Sequence, residues 1–164
     1  MKTPILAAIV LLAPLCFINS ATAYNAQDLQ RLKTTNSCIR CDLSYAPLNN
    51  YNLTGANLRE ANLSRASLSQ AKLVGADFGG ANLEAANLSG ANLDSATLVG
   101  TNLKSASLVN ADLTGAGLIA SNLEATNLRG AKMDLVNTRG ARFRLTIMPS
   151  GIVTPAGLIN PDQR

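Results

Sequence analysis

The sequence predicts an all-β solenoid, a parallel β-helix, over most of the chain, and three observations predict it. From Cys41 to Leu145 the residues read in fives without a gap, as in Ala56-Asn57-Leu58-Arg59-Glu60 and Ala91-Asn92-Leu93-Asp94-Ser95. The central residue is Leu in 17 of the twenty-one units, and Ala stands two places before it in 15. Aromatic residues make up only 4% of the chain and Trp is absent, so the large side chains that fill a wide globular core are missing.

An α-helix cannot use this period. Five residues advance about 500° around a helix, so successive leucines would fall about 140° apart and form no apolar stripe. The many Gly and Asn residues are also poor helix formers. In an extended segment, residues two apart point to the same side. Ala and Leu then face inward together, the Asn or Asp between them (13 units) faces outward, and the last two residues turn the corner, where Gly closes 8 units.

The remaining segments follow in chain order. Residues 1–23 have the parts of a secretory signal: Lys2, an apolar run from Ile5 to Ile18, and Ala21-Thr22-Ala23, with cleavage expected after Ala23. The apolar run is too short to span a bilayer well, and none follows it, so no stable membrane insertion is expected after cleavage. Residues 24–40 form a cap segment. In it Leu29 and Leu32, at helical spacing within Asn25–Lys33, predict a short capping helix that covers the open end of the solenoid. Residues 146–164, with Pro149, Gly151, Pro155, Gly157 and Pro161, predict an irregular tail.

The unit Ala-(Asp/Asn)-Leu-X-X resembles the signature of the pentapeptide-repeat family, and the likeness covers residues 41–145. The resemblance implies a right-handed quadrilateral parallel β-helix with one repeat per side and twenty residues per coil, hence about five coils stacked roughly 4.8 Å apart. Residues twenty apart then lie above one another. One inner column becomes Leu43, Leu63, Leu83, Leu103, Leu123 and Phe143, and one outer column Glu84, Lys104, Glu124 and Arg144, with alternating charge.

Two outward positions break the polar pattern: Val99 and Ile119 stack on one face. Near the end of the repeats Arg129, Lys132, Arg139, Arg142 and Arg144 gather against Asp134 alone. Val99, Ile119, Arg139, Arg142 and Arg144 are therefore the candidate surface contacts, suited to an acidic partner. Cys38 and Cys41 are the only cysteines left after signal cleavage. In an oxidising compartment a structural disulfide is expected between them, clamping the capping helix to the first coil, with two free thiols as the rival reading.

Function is read mainly by exclusion. His is absent, which removes the commonest general base and metal ligand. No paired carboxylates, phosphate loop or nucleophile–base pair is found, and no cofactor is expected. A net charge of +4 without aromatics to stack on bases speaks against nucleic acid. The order of signal, short helix, Cys-x-x-Cys-Asp-Leu and repeats resembles exported pentapeptide proteins of the cyanobacterial type. That implies a location in the periplasm or thylakoid lumen, or secretion, and no known activity. The expected function is a non-catalytic structural or protein-interaction solenoid of unknown partner, a monomer or an end-to-end dimer. The alternatives are a topoisomerase-binding DNA mimic, which the basic charge and the export signal oppose, and a thiol–disulfide protein using Cys38 and Cys41.

Overall fold

The structure, a computed structural model, describes residues 24–156; the expected signal segment, its cleavage site and residues 157–164 lie outside the described residues. Parallel β-bridges link each unit to the unit twenty residues on, from Ser37 with Asn57 to Asn127 with Ile147. Four units therefore make one coil, one unit to a side. Each side touches its neighbours through a single bridge residue, the second of its five. The inter-coil backbone hydrogen bonds are 2.7–3.0 Å long, as in Leu83 N–H to Asn102 O at 2.7 Å and Asn102 N–H to Ala81 O at 3.0 Å.

Each slot of the unit has its own physical reason. The first and third slots point inward and are almost fully buried, giving aliphatic ladders such as Leu43, Leu63, Leu83, Leu103 and Leu123 capped by Phe143. Each buried Leu contributes about 1.5–3 kcal/mol. Where the first slot holds Ser or Thr, the hydroxyl donates to a backbone carbonyl: Thr101 to Phe78 O at 2.8 Å, Thr126 to Leu103 O at 2.7 Å. Burial of these polar atoms is thereby offset.

The second slot faces outward and explains the Asn/Asp preference. In all 13 units that carry Asn or Asp there, Oδ1 accepts the backbone N–H two residues on, at 2.8–3.3 Å. This Asx bond pre-forms the corner. The amides also stack, as in Asn102 Nδ2 donating to Asn82 Oδ1 at 3.1 Å.

The fifth slot is left-handed at every corner from Arg40 to Leu145, with φ between 54° and 71°. With the closing bond from the next first-slot N–H to the Leu carbonyl, this is the pattern of a type II turn. Gly suits that φ; at Leu135 (φ 58) and Ala120 (φ 56) the fold imposes it on side chains that disfavour it.

Helix α1 spans Ala26–Thr35, slightly beyond the expected Asn25–Lys33. Asn25 caps it by accepting the N–H groups of Gln27 and Asp28, and Asn36 ends it in the left-handed region. Its Leu29 and Leu32 are buried in the core. Among the described residues no helix is long and apolar enough to cross a membrane.

The coil register runs from residue 36 to residue 150, one unit further at each end than the repeat count from Cys41 to Leu145. Cys38 fills a central slot in the earlier unit. At the other end residues 146–150, expected to be irregular, keep the register because Thr146 occupies a first slot and donates to Leu123 O at 2.5 Å. Non-consensus residues at both ends hid these units.

Candidate functional site

Two regions carry the residues singled out above. The first lies under α1. Cys38 and Cys41 form a disulfide with a Cα–Cα distance of 5.3 Å, both nearly inaccessible at 0% and 2% exposure. Both sulfurs belong to the first coil, Cys38 in a central slot and Cys41 in the next first slot. The bond therefore locks the first corner and does not tie the helix covalently, correcting the expected clamp. The helix is held instead by polar contacts. Asp28 Oδ2 accepts the Asp42 N–H at 2.9 Å, and the Asn25 N–H donates to Asp42 O at 2.9 Å. Arg31 donates to Ile39 O at 3.2 Å and places Nη2 2.6 Å from Cys41 Sγ. Lys33 sits over the Tyr51 ring at 5.3 Å.

Asp28, Cys38 and Cys41 bring one carboxylate oxygen and two sulfurs within 4.8 Å of one another. The sulfurs are bonded to each other and a guanidinium lies against one of them, so this trio is not a cation site in the disulfide form. A shallow hollow beside it is lined by Arg31, Thr35, Ser37 and Ile39, none of which forms a nucleophile–base pair.

The second region is the outer surface. Val99 and Ile119 stack on the face that also carries Gly79, Thr97, Gly117 and Arg139. Val99 is 40% exposed and Ile119 half-buried, making a short uncharged strip between the Arg59–Asp77 ion pair and Arg139. Around the corner Arg142 and Arg144 extend from the last coil, both exposed. Among the described residues Arg139, Arg142 and Arg144 have no carboxylate within 4.0 Å, whereas Lys132 reaches Asp112 at 3.1 Å. The structure thus brings Val99, Ile119 and Arg139 onto one face and puts Arg142 and Arg144 on the next.

The alternating column is only partly paired. Lys104 Nζ lies 3.8 Å from Glu124 Oε1, but Glu84 turns to accept from Asn102 Nδ2 at 3.3 Å. Elsewhere, hydrogen bonding and attraction from Arg40 hold the Glu60 carboxyl below its usual range, and Thr114, with Lys132 adding to it, does the same for Asp112. Arg65, hydrogen-bonded to the Tyr45 hydroxyl and lying over its ring, is raised. These are stabilised surface charges, without the opposed shifts of an acid–base pair. Sequence reading missed the aromatic partners, because Tyr45 fills a corner and Tyr51 a slot that usually holds Ala.

Comparison with known proteins agrees with this geometry. The family model described as "Pentapeptide repeats" matches in 8 copies, over residues 37–73, 61–98, 81–118, 96–134 and 111–148. No curated protein sequence matches. The chain is similar to the crystal structure of the pentapeptide repeat protein Rfr23 from the cyanobacterium Cyanothece 51142. The TM-score is 0.68 at 30% identity, over 70% of this chain and 92% of that one. It also matches HetL of Nostoc sp. strain PCC 7120, described as involved in heterocyst differentiation regulation, at 34% identity over 72% of this chain and 62% of that one, with a TM-score of 0.38. A second Nostoc PCC 7120 pentapeptide repeat protein matches at 30% identity over 66% of this chain and 74% of that one, with a TM-score of 0.44. With the family model spanning residues 37–148 and the coil register equal to four five-residue sides, the chain belongs to the pentapeptide-repeat family, whose fold is a right-handed quadrilateral β-helix.

Proposed function

We propose that this protein is a non-catalytic interaction solenoid that works outside the cytoplasm and binds a protein partner through Val99, Ile119, Arg139, Arg142 and Arg144. The observation that carries the reading is the strip of Val99 and Ile119 ending at Arg139, which has no carboxylate within 4.0 Å among the described residues. Apolar side chains beside an exposed guanidinium supply the mix of burial and directional bonding that interfaces concentrate. Export is supported by Lys2, the apolar run and Ala21-Thr22-Ala23, and a disulfide between Cys38 and Cys41 suits an oxidising compartment. The basic rim of Arg139, Arg142 and Arg144 supports an acidic partner and runs against a surface that imitates nucleic-acid phosphate.

Capture from the native extracytoplasmic fraction tests this, with mature wild-type protein and a V99E/I119E variant as paired baits. The expected result is a partner retained by the wild type and reduced at least tenfold on the variant, at unchanged melting temperature because both positions face outward. Equal recovery on both baits would remove this strip from the interface. Partner capture by protein still carrying Met1, from the cytoplasmic fraction alone, would refute the export.

A further inference from the structure

The units that begin at Cys41, Ala61, Ala81, Thr101 and Ser121 share one side of the rod, and their corners stack as Tyr45, Arg65, Ala85, Ser105 and Ala125. Two long side chains are followed by three short ones, so the corner sinks above Arg65. A hollow of about 270 Å³ opens there, lined by Tyr45, Ser64, Arg65, Asn82, Glu84 and Ala85. That is close to the smallest pockets that take small ligands, about 300 Å³.

The lining carries opposite charges that do not meet. The Arg65 guanidinium donates to the Tyr45 hydroxyl and lies 5.5 Å from the centre of its ring. Glu84 is turned the other way. Its carboxylate accepts from Asn102 Nδ2 at 3.3 Å, and its N–H donates to Asn82 Oδ1 at 3.1 Å. Among the described residues neither Arg65 nor Glu84 has an opposite charge within 4.0 Å, whereas Arg40 and Glu60, also one coil apart, close to 2.7 Å. The Tyr45 hydroxyl raises Arg65 most, and Glu84, attracting it from farther off, raises it least. Each charge is thus held by a neutral neighbour, one on each flank of the hollow.

That arrangement selects a ligand class. A guanidinium only donates and a carboxylate only accepts, but a hydroxyl does both. Adjacent hydroxyls of a sugar ring can therefore take one bond from Arg65 and give one to Glu84, and bonds to charged groups are the stronger kind. Ser64 and Asn82 bring donors and acceptors for the remaining hydroxyls. A ligand of one net charge would meet a like charge on one flank. A zwitterion would match both, but two exposed ion pairs contribute little against water and would leave Ser64 and Asn82 unused. Ser105 and Ala125 keep the corner low beyond the hollow, which leaves room for further rings.

We propose that this hollow binds a neutral saccharide, with Arg65 and Glu84 bridging adjacent ring hydroxyls and Tyr45 and Ala85 against its C–H groups. The hollow lies on a different side of the rod from Val99 and Ile119, so it stands or falls apart from the interaction reading.

The probes are cellotetraose, maltotetraose and the tetramer of N-acetylglucosamine, each titrated to millimolar concentration onto mature wild-type protein and followed by amide NMR. At least one should shift the amides of Ser64, Arg65, Glu84 and Ala85, with similar affinity at low and high salt because the ligand is neutral. R65A and E84A should each weaken binding at least tenfold at unchanged melting temperature, since both side chains are exposed. A V99E/I119E variant should bind as the wild type does. Absence of shifts with all three sugars, shifts confined to other residues, or full binding by R65A and E84A would overturn the proposal. Salt-sensitive binding of glycine without any of the sugars would assign the hollow to a zwitterion and overturn it as well. Any of these failures leaves partner capture through Val99 and Ile119 untouched, and loss of that capture leaves the saccharide site untouched.

Discussion

Replacing Leu103 with Asp is expected to unfold the rod, whereas replacing its neighbour Lys104 with Glu should cost about 1 kcal/mol. Leu103 is fully buried in the middle of its ladder, between Leu83 and Leu123. The change removes about 1.5–3 kcal/mol of apolar burial. It also leaves a carboxylate in a dry aliphatic stack, at a further penalty of several kcal/mol. Because each coil is supported only by its neighbours, a break at the centre uncouples both halves. Lys104, by contrast, is nearly half exposed and loses one contact, the 3.8 Å pair with Glu124, while gaining like charges at Glu84 and Glu124 in its column. Circular dichroism melts at low and high salt check both. The Lys104 penalty should shrink with added salt as charge is screened. Equal losses for the two variants would mean that the inward and outward slots are wrongly assigned.

The second large effect belongs to the disulfide. Changing Cys38 and Cys41 to Ser should lower stability by about 2 kcal/mol, the loop-closure value for so short a span. The loss should be local at first. The bond locks the corner that directly follows Asn36, and α1 leans on that corner through Leu29, Leu32 and Arg31. Hydrogen exchange should therefore quicken in α1 and in the first coil while the central coils stay protected. Alkylation of wild-type protein beginning at Tyr24, purified without reductant, should find no free thiol. Uniform quickening along the whole rod would show that the corner and the cap are not a separate unit. Thiol–disulfide exchange activity that the double variant loses would return the redox reading.

How much was legible in the sequence depended on how strictly a position obeys the period. Leu at seventeen central slots and Ala at fifteen first slots are enough to give the inward faces, and the twenty-residue stacking follows from the family resemblance. The Asn/Asp preference was visible as a pattern without its cause. Only the placed side chains show that each Oδ1 accepts an N–H two residues on. The end units were hidden because Cys38, Thr146 and Met148 fill Leu and Ala slots with other side chains, and a pattern search sees residue types rather than register. The fifth slot was legible as a corner but not in its conformation. Gly closes eight of these corners, and Tyr45, Glu60 and Leu135 adopt the same left-handed turn because the ladders on either side impose it.

The surface candidates were legible as columns, but not in their pairing. Stacking by twenties puts Val99 below Ile119 and Ile119 below Arg139, but the sequence does not say that Glu84 turns to Asn102 instead of Lys104. Nor does it show the fold-back of residues 151–154, which lies beyond the repeat pattern.

The central claim, that residues twenty apart stack in one column, is tested most directly by a spin-label distance between Y45C and L145C. Both positions are about half exposed at left-handed corners, one hundred residues and five coils apart, and in a chain starting at Tyr24 the remaining cysteines, Cys38 and Cys41, are silent in their disulfide. A four-sided coil predicts a narrow distribution centred near 24 Å, five spacings of about 4.8 Å. A three-sided coil of fifteen residues would put the labels about 32 Å apart on that same spacing, and a mean at or beyond that distance would contradict the account.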